Sequence, residues 1–124
     1  MANNQNVHIR PDLKVGKLAK LALETYFRNP DPAEIARLQD GEYGHRTVII
    51  NSTMPILKRA DEIDNAPEGR QTGGYDFYRQ HYWATQYDIG GVKYRVVNDW
   101  KESPNPRDNR TPLEDWIRRM GLSL

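Results

Sequence analysis

The sequence contains no cysteine. That excludes disulfides, thiolate nucleophiles and Cys-based zinc sites, and it suits a reducing compartment. No apolar run approaches membrane-spanning length. The opening residues, Met1-Ala2-Asn3-Asn4-Gln5-Asn6-Val7-His8, have no apolar signal core. The expectation is a soluble cytoplasmic protein that does not engage a membrane. An excess of charge of one sign is also missing: 18 Lys and Arg face 17 Asp and Glu, a formal net charge of +1. Total charge therefore does not indicate a strongly basic nucleic-acid binder, although a local patch remains open. Thr72-Gly73-Gly74 lacks the lysine and following helix of a phosphate loop, and no Gly-x-Ser-x-Gly elbow occurs. The three histidines, His8, His45 and His81, show no metal-ligand spacing. Neither a metal nor a cofactor is expected.

Aromatic residues are plentiful for so polar a chain, with three Trp, seven Tyr and two Phe. Many fall in His81–Trp100, where aromatic and β-branched runs flank Gly90-Gly91. A Gly-Gly pair supplies the positive φ values of a two-residue hairpin turn. The register then follows: Ile89 faces Val92, Tyr87 faces Tyr94, Thr85 faces Val96, Trp83 faces Asn98 and His81 faces Trp100. These lie on one apolar side, because strand side chains alternate. The other side pairs Asp88 with Lys93, Gln86 with Arg95, Ala84 with Val97 and Tyr82 with Asp99. A lone hairpin is marginal in water, so the apolar side needs helices over it.

At 124 residues the chain fits one domain. Residues 1–11 read as a loose lead-in and 12–124 as a single domain. Leu13, Val15, Leu18, Leu21, Ala22, Tyr26 and Phe27 recur at helical spacing, with Asp12 as N-cap and Lys14, Lys17 and Lys20 on the polar side. Asn29-Pro30 breaks that helix. Asp31-Pro32-Ala33-Glu34 starts a second, short one, with Glu34 closing a capping box and Gly41 stopping it. His45–Asn51 suits a strand or a short helix, and the tight turn before it tilts the reading to helix. Residues 58–80 have the composition of a long loop, a length unusual in a compact domain. Lys101–Arg110 is an irregular crossing segment. Thr111-Pro112-Leu113-Glu114 repeats the capping-box pattern before a final helix that ends at Gly121. The fold class expected is α+β: three N-terminal helical segments, a two-stranded antiparallel hairpin and a C-terminal helix.

In element order, with Pro32–Asp40 as first helix, Gly41–Gly44 as turn, His45–Asn51 as recognition element and Trp83–Trp100 as wing, the chain resembles a winged helix-turn-helix domain. The run Leu38-Gln39-Asp40-Gly41-Glu42-Tyr43, followed by Gly91-Val92-Lys93-Tyr94 and a downstream Trp100, also looks like small modules in bacterial and phage defence-related proteins. The winged-helix resemblance implies non-catalytic binding of double-stranded DNA, the third segment presenting its N-terminal residues to base edges in the major groove. His45, Arg46, Thr47 and Asn51 are then the readers, with Arg46 suited to guanine and Asn51 to adenine. Lys93 and Arg95 on the wing would meet phosphates. Each also has an ordinary explanation: Arg46 as a surface arginine, Asn51 as a helix cap, and Lys93 as the partner of Asp88.

Two further classes compete with DNA binding. A protein-interaction module would use Tyr75, Phe77, Tyr78 and Tyr82, since Tyr and aromatic residues are enriched at interfaces. A small metal-independent ribonuclease would gather Arg79, His81, Tyr82 and Arg95 around a scissile phosphate. Asp99-Trp100-Lys101 has the Asp-x-Lys form of metal nucleases, but Asp88 lies about 20 Å away along the ribbon at about 3.4 Å per residue. One metal cannot bridge that distance, which leaves Glu68 or Asp76 of the long loop as the second acid of a metal nuclease.

Overall fold

A computed structural model describes residues 8–102 and 109–124. Residues 1–7 of the loose lead-in expected at 1–11, and residues 103–108 of the crossing segment, lie outside the described residues. The chain runs α1 (Val15–Tyr26), α2 (Pro32–Leu38), α3 (Gly41–Thr47), β1 (Leu57–Arg59), α4 (Ala60–Asp64), α5 (Tyr75–His81), β2 (Tyr87–Ile89), β3 (Val92–Val96) and α6 (Arg110–Arg119). The class is α+β, as expected. The sheet, however, has three strands rather than two, in the antiparallel order β1-β3-β2.

The hairpin turn forms as the Gly-Gly pair requires, with φ of 62° at Gly90 and 84° at Gly91. Its register is Tyr87↔Tyr94, Asp88↔Lys93 and Ile89↔Val92. Beyond Tyr87 the expected ribbon does not continue. The next pairing is an isolated bridge between Tyr82 and Val97, not Ala84 with Val97. Trp83 N donates to Val96 O (2.9 Å) rather than facing Asn98, and Asn98 N donates to His81 O (2.8 Å). On its other edge β3 gains a partner that the hairpin reading lacked: Leu57, Lys58 and Arg59 stand opposite Val96, Arg95 and Tyr94.

The long loop expected at 58–80 therefore contains the rest of β1 and two short helices. α5 has no side-chain N-cap. Its first donors go to loop carbonyls, Tyr75 N to Pro67 O (2.7 Å) and Asp76 N to Gly69 O (3.0 Å). Gly74 makes this closure possible, since a Cβ there would stand 2.4 Å from Gly69 O.

The helix starts also differ in detail. α1 begins at Val15, and its first amide donates to Glu102 Oε1 (3.1 Å), a cap from across the chain. Asp12 instead pairs with Arg10. α2 starts as read, with Ala33 N donating to Asp31 Oδ1 (2.9 Å), but Glu34 does not close a capping box. Gly41 stops nothing: Asp40 accepts from Glu42 N (3.0 Å), and the Gly41–Gly44 turn is the first part of α3. Glycine is needed there because a Cβ would lie 2.0 Å from Thr53 O. α6 begins at Arg110 behind Asn109, not at a Thr111 cap, and Glu114 pairs with Arg110 and Arg118.

The core joins Leu18, Ala22, Leu38, Ile49, Ile56, Leu57, Val96, Leu113, Trp116 and Ile117, all buried. At its centre Glu34, only 2% exposed, accepts hydrogen bonds from Trp116 Nε1 (2.8 Å), Tyr43 Oη (2.5 Å) and Arg37 Nε (2.8 Å). The Trp116 ring stands edge-on to Tyr26. One carboxylate thus ties α2, α3 and α6 together. Tyr87 packs on Phe27 (5.3 Å between centroids) and donates to Glu24 (2.6 Å), which turns its side of the sheet towards α1.

Candidate nucleic-acid interface

Arg95 sits on the side of β3 opposite Tyr94 and Val96, as side-chain alternation requires. It was expected on an exposed wing face, yet it is only 7% exposed. β3 is the central strand, and the flanking β1, absent from the hairpin picture, encloses it. Arg95 Nε donates to Trp83 O (2.8 Å). Neither terminal nitrogen has a hydrogen-bond partner or ion pair among the described residues, and neither is sealed from the surface. Buried arginines normally face a carboxylate, because desolvating a lone charge is costly.

Its cross-strand partner adds to the imbalance. Lys58 stands directly opposite Arg95, so two cations share one side of an antiparallel pair, a destabilising arrangement. Lys58 Nζ lies 4.9 Å from the centroid of the Tyr78 ring and has no carboxylate partner among the described residues. Lys93, two residues before Arg95 on the same side, is exposed. The register does place Asp88 opposite it, but Asp88 Oδ1 accepts from Gly91 N (3.0 Å) in the turn, and no ion pair with Lys93 forms. Lys58, Lys93 and Arg95 thus share one side of the sheet, with no carboxylate bound to any of them.

The aromatic residues of α5 border this surface. No residue of α5 is fully buried. Tyr75 and Tyr78 lean on the core; Phe77 does not. Phe77 packs against His81 (4.5 Å) and Tyr78 (5.9 Å), while the Arg79 guanidinium lies 5.5 Å from the Tyr75 ring. Arg70, Asp76, Arg79 and Gln80 line a shallow polar hollow along the same helix. Tyr82 leaves the expected exposed cluster: it is 1% exposed, and its hydroxyl donates to Pro55 O (2.6 Å). Burial pushes its pKa well above the ordinary tyrosine value, so this phenol stays protonated.

The residues expected to read DNA from the third segment do not all face one surface. His45 and Arg46 lie in the last turn of α3 rather than at the N-terminus of a recognition helix. His45 Nδ1 lies 3.2 Å from Ser52 O, and Arg46 pairs with Glu42. Thr47 Oγ1 donates back to Tyr43 O (2.6 Å). Asn51 points inward, donating to Asp99 O (3.0 Å) and bonding the buried Asn109. Of the expected nucleic-acid set, Arg46 and Thr47 line one hollow together with the acidic Asp40 and Glu42, whereas Lys93 and Arg95 share the side of the sheet that holds Lys58. Lys58 was missed because a three-residue strand is too short to show alternation.

The ribonuclease set does not converge either, since the Tyr82 hydroxyl is occupied by Pro55 O and Arg95 is held at Trp83. His81 Nδ1 contacts Asp99 Oδ1 (2.9 Å), and Asp99 Oδ2 accepts from Ser52 Oγ (3.3 Å). The carboxylate stands between serine and histidine, so the imidazole does not reach the hydroxyl as it does in a serine–histidine nucleophile pair. These bonds link the end of α5 to the chain leaving β3. Among the described residues no three His, Asp or Glu side chains gather as metal ligands, and no helix is long and apolar enough to cross a membrane. The chain matches no protein-family model, no curated protein and no solved structure.

Proposed function

We propose that this chain is a non-catalytic nucleic-acid-binding module, acting on DNA in the first instance, whose contact surface is the cationic side of the sheet rather than α3. The observation that carries this reading is Arg95, a residue nine-tenths buried whose guanidinium has no carboxylate, facing Lys58 across the strand pair. Folding alone gives no reason to place two cations opposite each other. A phosphate supplies one: it neutralises both and offers oxygens in the geometry that arginine prefers. Lys93 extends the charge along the strand, and phosphate contacts of this kind supply most non-specific affinity. The near-neutral total charge is compatible, because the remaining arginines are largely matched internally: Arg37 with Glu34, Arg46 with Glu42, Arg59 with Asp61, and Arg110 with Glu102 and Glu114.

The test is affinity for a short labelled DNA measured against salt concentration. Lys58→Ala and Lys93→Ala should each weaken binding and lower the logarithmic salt slope by about one, as expected for one lost phosphate contact. Arg46→Ala, outside this surface, should leave both unchanged. No detectable binding by the wild-type chain at low salt overturns the reading.

A further inference from the structure

Resting on that reading, we infer that the nucleic acid bound is single-stranded, with Phe77 as the platform on which a base stacks. Two of the three cations that would hold its backbone are recessed, Lys93 at the hairpin alone being exposed. Arg95 belongs to the central strand and is nearly buried between its neighbours, and Lys58 is partly covered. A groove of duplex DNA is entered by a protruding helix or a two-stranded ribbon, not by a residue set back in the middle of a sheet. A flexible single strand can lay a phosphate into such a recess, and its unpaired bases then need flat partners.

Those partners lie beside it in an unbroken series. Arg95 faces Lys58 across the strands, Lys58 sits on Tyr78, Tyr78 abuts Phe77, and Phe77 abuts His81. Phe77 is the ring in this series that the fold uses least, being partly exposed and absent from the packing against the core. Cations adjoining a run of aromatic rings are the chemistry of sequence-tolerant single-strand binding, in which base stacking and phosphate neutralisation each contribute.

The experiment compares one labelled oligonucleotide as a single strand, as DNA and as RNA, with the same sequence annealed as duplex. Binding is followed by fluorescence anisotropy for wild type, Phe77→Ala and Phe77→Trp, with thermal melts to verify folding. Single strands should bind more tightly than duplex. Phe77→Ala should weaken them about ten- to hundredfold, leave the duplex signal unchanged, and abolish quenching of a 2-aminopurine base in the strand. Phe77→Trp should keep wild-type affinity. Duplex bound as tightly as single strand, or single-strand affinity indifferent to Phe77→Ala, overturns this inference and leaves the nucleic-acid reading standing. Absence of binding to every form overturns both.

Discussion

Glu34 shows how a single residue can take a role its local sequence does not announce. Its position three after Asp31 is that of a capping box, yet its carboxylate faces the interior, holding Trp116, Tyr43 and Arg37. Burial pushes its pKa up, but the hydrogen bonds from Tyr43, Trp116 and Arg37, with the arginine charge, outweigh it and leave the carboxyl below its ordinary value of 4.5. A carboxyl with a depressed folded-state pKa contributes stability that is present above the unfolded value and lost as pH falls through the folded one. Acid titration of stability below about pH 4.5 should therefore be shallower in Glu34→Gln than in wild type. Glu34→Ala leaves the Trp116 and Tyr43 donors without their acceptor and should cost about 2–4 kcal/mol, read from urea denaturation midpoints. The inward turn was not legible in the sequence. It depends on a tryptophan 82 positions later in the chain.

At the scale of elements, the strand pair β1·β3 and the start of α3 are the informative cases. Lys58→Glu would turn the like-charge pair with Arg95 into an opposite-charge one and should stabilise the fold by about 0.2–1 kcal/mol. The same change should abolish nucleic-acid binding. A melting temperature that rises while affinity falls is the signature of a residue kept for function at some cost to stability; a lysine with only a structural role would move both together or neither. Gly41→Ala tests the other case. Its Cβ would press on the Thr53 carbonyl, and such overpacking should cost about 1–3 kcal/mol in chemical denaturation. From the sequence, Asp40-Gly41 reads as the end of one helix. Asp40 in fact caps the next, and the glycine serves a close backbone approach that only the folded chain contains.

For the molecule as a whole, the two ends of the described chain are bound to each other. Arg110, opening α6, donates to Leu13 O and to Arg10 O (2.9 Å) and pairs with Glu102 and Glu114. Leu124 N donates to His8 O (2.6 Å), and Glu102 caps α1. Arg110→Ala should therefore loosen both ends together. The expected loss is about 1–3 kcal/mol, with faster amide exchange in the first turn of α1 and the last residues of the chain. What the sequence determined by itself was local. The Gly90-Gly91 turn, the register next to it, the amphipathic α1 and α6, and the Asp31-Pro32 helix start all depend on backbone preferences and residue spacing within a few positions. The tertiary structure alone decided that a third strand encloses Arg95, that Tyr82 turns inward and Phe77 stays outside, and that Asn51 serves the interior. Each of these depends on a partner far along the chain, and the burial of a side chain follows from what covers it.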